Sequence, residues 1–137
     1  MDHKKPDTSL YNIPFTVSSF NDMSFRALGK SGLYVSDVGL GTWKFGYPST
    51  GDGSRVDEAT AFEIFDRAVS LGVVFWDTAN RYNNASGNSE RIMGKWFRQN
   101  PSQRRNIVVA TKMYGCMDGL TPNHCGLSRG NILDSVY

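Results

Sequence analysis

Three side chains could do chemistry together: Asp77, Tyr82 and Lys112. Asp77 directly ends the apolar run Val73-Val74-Phe75-Trp76. Lys112 ends a second such run, Ile107-Val108-Val109-Ala110, after Thr111, and Tyr82 lies in the loop between. A carboxylate, a phenol and an ammonium form an acid–base set. A free tyrosine, with a pKa near ~10, is a poor acid at neutral pH. A neighbouring ammonium favours the phenolate and lowers that value, while a carboxylate holds the ammonium in place. Such a tyrosine could protonate a carbonyl oxygen as hydride arrives at the carbon. From position alone, a strand-end Asp or Lys is more often an ion-paired or loop-capping residue, so the set means little without its scaffold.

That scaffold is legible. Residues 1–22 form a polar, Pro- and Ser-containing tail without periodicity. Ser24 to Leu28 and Leu33 to Val38 are alternating runs around Gly29-Lys30-Ser31-Gly32, which predicts a hairpin. Val38-Gly39-Leu40-Gly41 reads as a short buried strand, and residues 46–54 as loop. Asp57 is placed to cap a helix bearing Ala61, Phe62, Phe65, Ala68 and Val69 at helical spacing, closed by Gly72. Val73 to Trp76 has the apolar continuity of a parallel strand buried on both faces. A polar loop from Thr78 to Gly87 follows. The cycle then repeats: Asn88 or Ser89 caps a helix with Ile92, Met93, Trp96 and Phe97 on one face, and Asn100-Pro101 closes it. Ile107 to Ala110 is the third strand, and Ser128 caps a third helix that runs to Tyr137. Successive strand–helix units imply parallel strands with right-handed crossovers. Doubly wound sheets and (β/α)8 barrels both begin this way, and both build active sites at the carboxyl ends of their strands.

Composition narrows the classes. Fifteen basic and 13 acidic residues in 137 leave a formal charge of +2, too small and too scattered to point to nucleic acid or a membrane surface. An apolar content of 39% supports a globular domain. No stretch approaches the ~18 apolar residues of a membrane span. Pro6, Asp7, Asn12 and Pro14 interrupt anything that could serve as a signal-peptide core, so the expected setting is the cytoplasm. Cys116 and Cys125 are too few for a disulfide scaffold and fit a reducing compartment. The sequon Asn84-Ala85-Ser86 carries no weight without secretion.

The ordered series of segments resembles the aldo-keto reductase family, most nearly its bacterial members similar to potassium-channel β subunits. The matching pieces are Phe25 to Leu33, Gly39-Leu40-Gly41-Thr42-Trp43, Trp76-Asp77-Thr78-Ala79 with Tyr82, Ser89-Glu90-Arg91 with Gly94, and Ala110-Thr111-Lys112. The resemblance spans residues 23–137. It implies an α/β fold: the N-terminal part of a (β/α)8 TIM barrel with an N-terminal β-hairpin, truncated after about three strands, the third helix cut off. It implies NADP(H)-dependent reduction of aldehydes or ketones. Asp77 would orient the lysine, Tyr82 would donate the proton, and Lys112 would lower its pKa. Gly41, Thr42 and Asp77 match positions against the nicotinamide, and Trp43 one near the cofactor and substrate mouth. The preference for NADPH over NADH rests on the resemblance alone. Some relatives bind cofactor with little turnover, so a regulatory β-subunit-like role and an inert truncated product are the alternatives.

The family's fourth catalytic residue, a histidine after the fourth strand, has no match: His3 lies in the tail and His124 before the third helix. A barrel of this class needs ~250 residues, and the chain is therefore expected to be inactive alone. The loop Asn83 to Asn88 is longer than the Gly-rich turn of many relatives, which bears on substrate preference. Other signals are set aside. Gly39-Leu40-Gly41-Thr42-Trp43-Lys44 has Lys where a dinucleotide fingerprint needs its third glycine. Cys116, His124 and Cys125 fit no zinc spacing, so no metal is expected. Capping explains Ser89-Glu90 without a phosphate. Neither substrate identity nor oligomeric state can be read.

Overall fold

The computed structural model describes residues 5–14 and 16–136; His3 lies outside them. Two small sheets are present. In the first, β1 (Ser19–Phe20), β2 (Met23–Ala27) and β3 (Tyr34–Ser36) pair antiparallel in that order. In the second, β4 (Gly39–Gly41), β5 (Phe75–Asp77) and β6 (Val108–Ala110) are parallel, with Leu40, Trp76 and Val109 in one row and Gly41, Asp77 and Ala110 in the next. Helix α1 (Glu58–Ser70) connects β4 to β5. The short α2 (Tyr82–Ala85) and then α3 (Asn88–Gln99) connect β5 to β6, and α4 (Arg129–Val136) follows β6.

The expected hairpin of residues 24–38 is β2–β3, but the tail is not free up to residue 22. Asn21 and Asp22 adopt left-handed φ of 48° and 64°, the geometry that a two-residue hairpin turn requires, and they fold Ser19-Phe20 back on β2. Asn21 Nδ2 also donates at 3.0 Å to the carbonyl of Val69 near the end of α1, an oxygen that accepts from the Gly72 amide as well. Gly72, at φ 74°, sits under this hairpin; a β-carbon there would come within 2.1 Å of the Phe20 carbonyl.

Helix α1 starts as its sequence suggests, with the Asp57 carboxylate accepting from the amide of Thr60 at 2.9 Å. Helix α3 does not. Its N-cap is Gly87 in a left-handed conformation with φ 70°, and neither Asn88 nor Ser89 caps it. Ser89 is instead wholly buried.

The core lies between the parallel sheet and its helices. Trp76 of β5 stacks on Phe65 of α1 at 4.6 Å between centroids and meets Trp96 of α3 at 5.2 Å. Each indole N–H has a partner: Trp76 Nε1 donates to the Val73 carbonyl at 2.9 Å and Trp96 Nε1 to Asp66 at 2.8 Å. Burial of a side chain this size contributes roughly 4–6 kcal/mol before entropy is subtracted. The strands are covered on that side only. Trp76 is fully buried, whereas Phe75 and Val108, which point the other way, are half-buried. The expected burial on both faces is thus met on one, because α1 and α3 pack on the Trp76 side and no described element covers the other. Among the described residues, no helix is long and apolar enough to cross a membrane.

Candidate active site

Asp77 and Lys112 are brought together by sheet register. Asp77 is the last residue of β5 and pairs with Ala110 of β6, two residues before Lys112. Lys112 Nζ donates to both carboxylate oxygens of Asp77, at 2.7 and 2.8 Å, and to the Thr78 carbonyl at 3.0 Å. It also lies 2.7 Å from Tyr82 Oη, and that hydroxyl donates to Asp77 Oδ2 at 2.9 Å. The three side chains picked out from sequence therefore form one closed triangle. Partial burial works against the charge on Lys112, but its bonds to Asp77 and Tyr82 outweigh that, and the amine's pKa is raised. The cluster is wet: the Lys112 and Asp77 side chains are 53% and 45% exposed.

Tyr82 is held by an unusual turn. Asn83, Asn84 and Ala85 all have left-handed φ, between 56° and 60°. Asparagine tolerates this and alanine does so at a cost; such strain concentrates where a structure must aim a side chain. The buried Asn83 anchors the turn by donating from Nδ2 to the Phe45 carbonyl at 2.7 Å.

The remaining expected residues divide. Gly41 shares the inward-facing row of Asp77, and a β-carbon built on it would meet no atom within 4 Å. Trp43 stands at the rim, 59% exposed, with its ring 6.1 Å from that of Tyr82. Thr42 is different. It has no exposed surface. Its amide and hydroxyl both donate to the Asp77 carbonyl at 3.0 Å, and Thr42 Oγ1 and Ser89 Oγ share a bond of 2.8 Å. Ser89 Oγ also lies 2.8 Å from the Thr42 carbonyl and 3.2 Å from Thr78 Oγ1. Thr42 thus braces the end of β5 from behind and offers no face to a ligand. Ser89, which sequence reading took for a helix cap, is the buried post that joins the loops after β4 and β5. Nothing in its spacing distinguishes the two roles.

Beyond Lys112 the chain closes a loop with a disulfide between Cys116 and Cys125, where the sequence suggested free thiols. His124 does not approach the triangle; its Nδ1 pairs with Asp118 at 2.8 Å.

A sequence profile described as "Aldo/keto reductase family" matches residues 37–137. The chain belongs to that family. It is 44% identical over 94 residues to "Uncharacterized oxidoreductase YrpG" of Bacillus subtilis (strain 168), covering 67% of this chain and 27% of that protein. It is 34% identical to "Aldo-keto reductase AMT2" of Alternaria alternata, covering 82% of this chain and 36% of the relative. Among solved structures it resembles the holo form of aldo-keto reductase AKR11C1 from Bacillus halodurans, with TM-score 0.57, 32% identity, and coverage of 73% of this chain and 29% of that one. The chain therefore spans roughly a third of the length of these relatives. In this family the strand–helix repeat is the N-terminal portion of a (β/α)8 barrel, which explains the parallel register and the single covered face of β4–β6. The Bacillus halodurans relative is a holo form, so its structure holds a bound group. Gly41 provides open, side-chain-free surface beside the Asp77–Tyr82–Lys112 triangle, as a flat ring approaching the backbone would require.

Proposed function

We propose that this chain supplies the proton-donating half of an NADP(H)-dependent aldehyde or ketone reductase, with Asp77, Tyr82 and Lys112 as its catalytic residues. The single observation that carries the reading is Lys112 Nζ bonded at once to Tyr82 Oη at 2.7 Å and to Asp77 at 2.7 Å. Gly41, Trp43 and the exposed part of Asp77 would lie against the nicotinamide, with Thr42 holding the strand end behind them. The cofactor, when bound, supplies the hydride. Everything else falls to the protein. Tyr82 Oη hydrogen-bonds the substrate carbonyl and passes its proton to that oxygen. The Lys112 ammonium stabilises the negative charge left on the phenolic oxygen, and Asp77 fixes the amine by accepting from it with both oxygens.

The polypeptide of 137 residues leaves its triangle about half exposed, and water competes there for every bond. Measured alone, it is expected to show no NADPH consumption with a generic aldehyde. Ordinary turnover from it would overturn that expectation. In an active protein that contains this chain, Tyr82→Phe should lower kcat by about 100-fold or more. NADPH affinity, read by cofactor fluorescence, should stay within about twofold. Unchanged turnover would remove Tyr82 from the chemistry. A cytoplasmic setting, which the sequence suggests, would keep Cys116 and Cys125 as thiols.

A further inference from the structure

A cavity of about 440 Å³ opens beside Trp43, on the rim next to the triangle, lined by Trp43, Lys44, Asp52, Arg81, Asn83 and Asn84 among others. Its charge is one-sided in effect. Asp52 is 7% exposed, and its carboxylate is already taken: Oδ2 accepts from the Tyr47 amide at 2.9 Å and from Asn88 Nδ2 at 2.8 Å, while Oδ1 accepts from the amide of Ser54 at 2.9 Å and from the Ser54 hydroxyl. The two cations are far less engaged. Among the described residues Lys44 Nζ reaches only the Gly53 carbonyl, at a long 3.3 Å, and hovers 4.5 Å from the centre of the Trp43 ring. Arg81 is exposed and donates through Nη1 to the Cys116 carbonyl at 2.7 Å; among the described residues its other N–H groups have no recorded partner. Neither cation has a carboxylate within ion-pair distance among the described residues. An aromatic wall with two under-used cations suits an apolar group ending in an oxyanion.

We propose that this cavity is a specificity subsite for the anionic end of the substrate: a carbonyl compound whose far end carries a carboxylate or phosphate, with Trp43 packing its middle and Lys44 and Arg81 receiving the charge. The inference rests on the reductase reading and deepens it. Tyr82 follows Arg81 directly, and its ring lies 6.1 Å from that of Trp43, so the phenol stands beside the aromatic wall that Trp43 gives the cavity.

The test uses benzaldehyde and 4-carboxybenzaldehyde, with NADPH, on an active protein containing this chain. The carboxylated aldehyde should show a KM about tenfold lower. Lys44→Met should raise that KM about fivefold and leave benzaldehyde within about twofold. Arg81→Lys should retain more of the preference than Arg81→Met, since the charge survives while the planar fork is lost. Reduction of benzaldehyde without any preference for the carboxylate overturns the subsite and leaves the reductase reading standing. A Lys44→Met variant that weakens NADPH binding and leaves the ratio of the two aldehydes unchanged assigns the anion to the cofactor's phosphates, which also overturns it. If neither aldehyde is reduced, the reductase reading fails, and binding decides the subsite. 4-Carboxybenzyl alcohol shifting the Trp43 indole N–H resonance, where benzyl alcohol and the Lys44→Met protein give no shift, supports it; no shift from either alcohol overturns it.

Discussion

The molecule contains the same three chemical groups twice. At the sheet mouth they are Asp77, Tyr82 and Lys112. Across the helices they are Glu58 at the start of α1, Tyr47 in the loop after β4, and Lys95 on α3. Lys95 Nζ lies 2.6 Å from Tyr47 Oη and 2.5 Å from Glu58 Oε2, and the Tyr47 hydroxyl donates to the same carboxylate. Even the ring contacts agree, with the lysine nitrogen 4.8 Å from the Tyr82 centroid in one cluster and 5.1 Å from the Tyr47 centroid in the other. A carboxylate, a phenol and an amine in mutual contact are therefore not sufficient to define a catalytic site. What differs is the surroundings. Tyr47 packs against the apolar core, and its cluster ties two helices and a loop together. The triangle at the mouth rests on adjacent strand ends, next to a glycine with open space above it and an exposed indole. Exposure alone does not separate them, since the Lys95 and Glu58 side chains are 41% and 32% exposed; the difference is that the mouth cluster adjoins the open surface over Gly41, while the helix cluster ties one packed element to another.

Paired substitutions would break this distinction most sharply. In an active protein containing this chain, Tyr82→Phe should cost about 100-fold or more in kcat. Tyr47→Phe should leave kcat within about twofold and lower stability by about 1 kcal/mol, the loss of a hydrogen bond to a charged group that solvent partly screens. Denaturant unfolding and steady-state kinetics on both variants check it. Equal kinetic damage from the two would mean that the helix cluster reaches the chemistry after all.

A second variant tests the foundation of the mouth. Ser89→Ala removes the buried hydroxyl that joins Thr42 and Thr78, and leaves polar partners unpaired in a site with no exposure. The expected loss is about 1–3 kcal/mol in unfolding free energy. Part of the effect should appear as weaker protection of the Thr42 and Thr78 amides in hydrogen exchange. A loss confined to the helix termini, without change at those two amides, would return Ser89 to the role of an ordinary cap.

This contrast also marks what the sequence could and could not disclose. Asp77, Tyr82 and Lys112 were legible because strand ends announce themselves: two apolar runs stop at charged residues, and parallel register does the rest. The order of elements from β2 to α4 was legible for the same reason, apart from the short α2, which falls within the polar stretch from Thr78 to Gly87 that reads as loop. Ser89 was not, because a serine at a helix start has an ordinary explanation in capping, and only the left-handed Gly87 displaces it. The Tyr47 cluster was not, because its members lie 11 and 37 residues apart along the chain and meet only once α1 packs on α3. Thr42 was read by resemblance as a ligand contact; burial gives it the work of a brace. Asn21-Asp22 is a two-residue turn of the kind that joins hairpins, but the polar tail around it hides the signal.

The subtlest difference between the clusters should appear in acid. Bonds from Lys95 first, and from Tyr47 second, hold the Glu58 carboxyl below its ordinary range. A carboxylate whose folded pKa is depressed stabilises the native state at every pH above its unfolded value, near ~4.3, and loses that contribution as pH falls toward the lower folded value. The helix cluster should therefore leave stability flat between pH 7 and about 5, with decline setting in only below about 4. Asp52 should follow the same course, because its bonds from Asn88, Ser54 and the Tyr47 amide outweigh the burial that opposes its charge. Lys95→Met removes the main cause of the Glu58 depression and should flatten the acid slope, while Lys112→Met leaves that part of the slope in place. The lysines act at the other end of the scale. Both amines are raised, so what they contribute is complete below about 10.4 and disappears only as pH climbs past it. Urea midpoints measured from pH 2.5 to 7 on the two Met variants decide the matter. An acid slope that Lys95→Met leaves untouched would show that Glu58 draws its depression from the Tyr47 hydroxyl rather than from the ammonium.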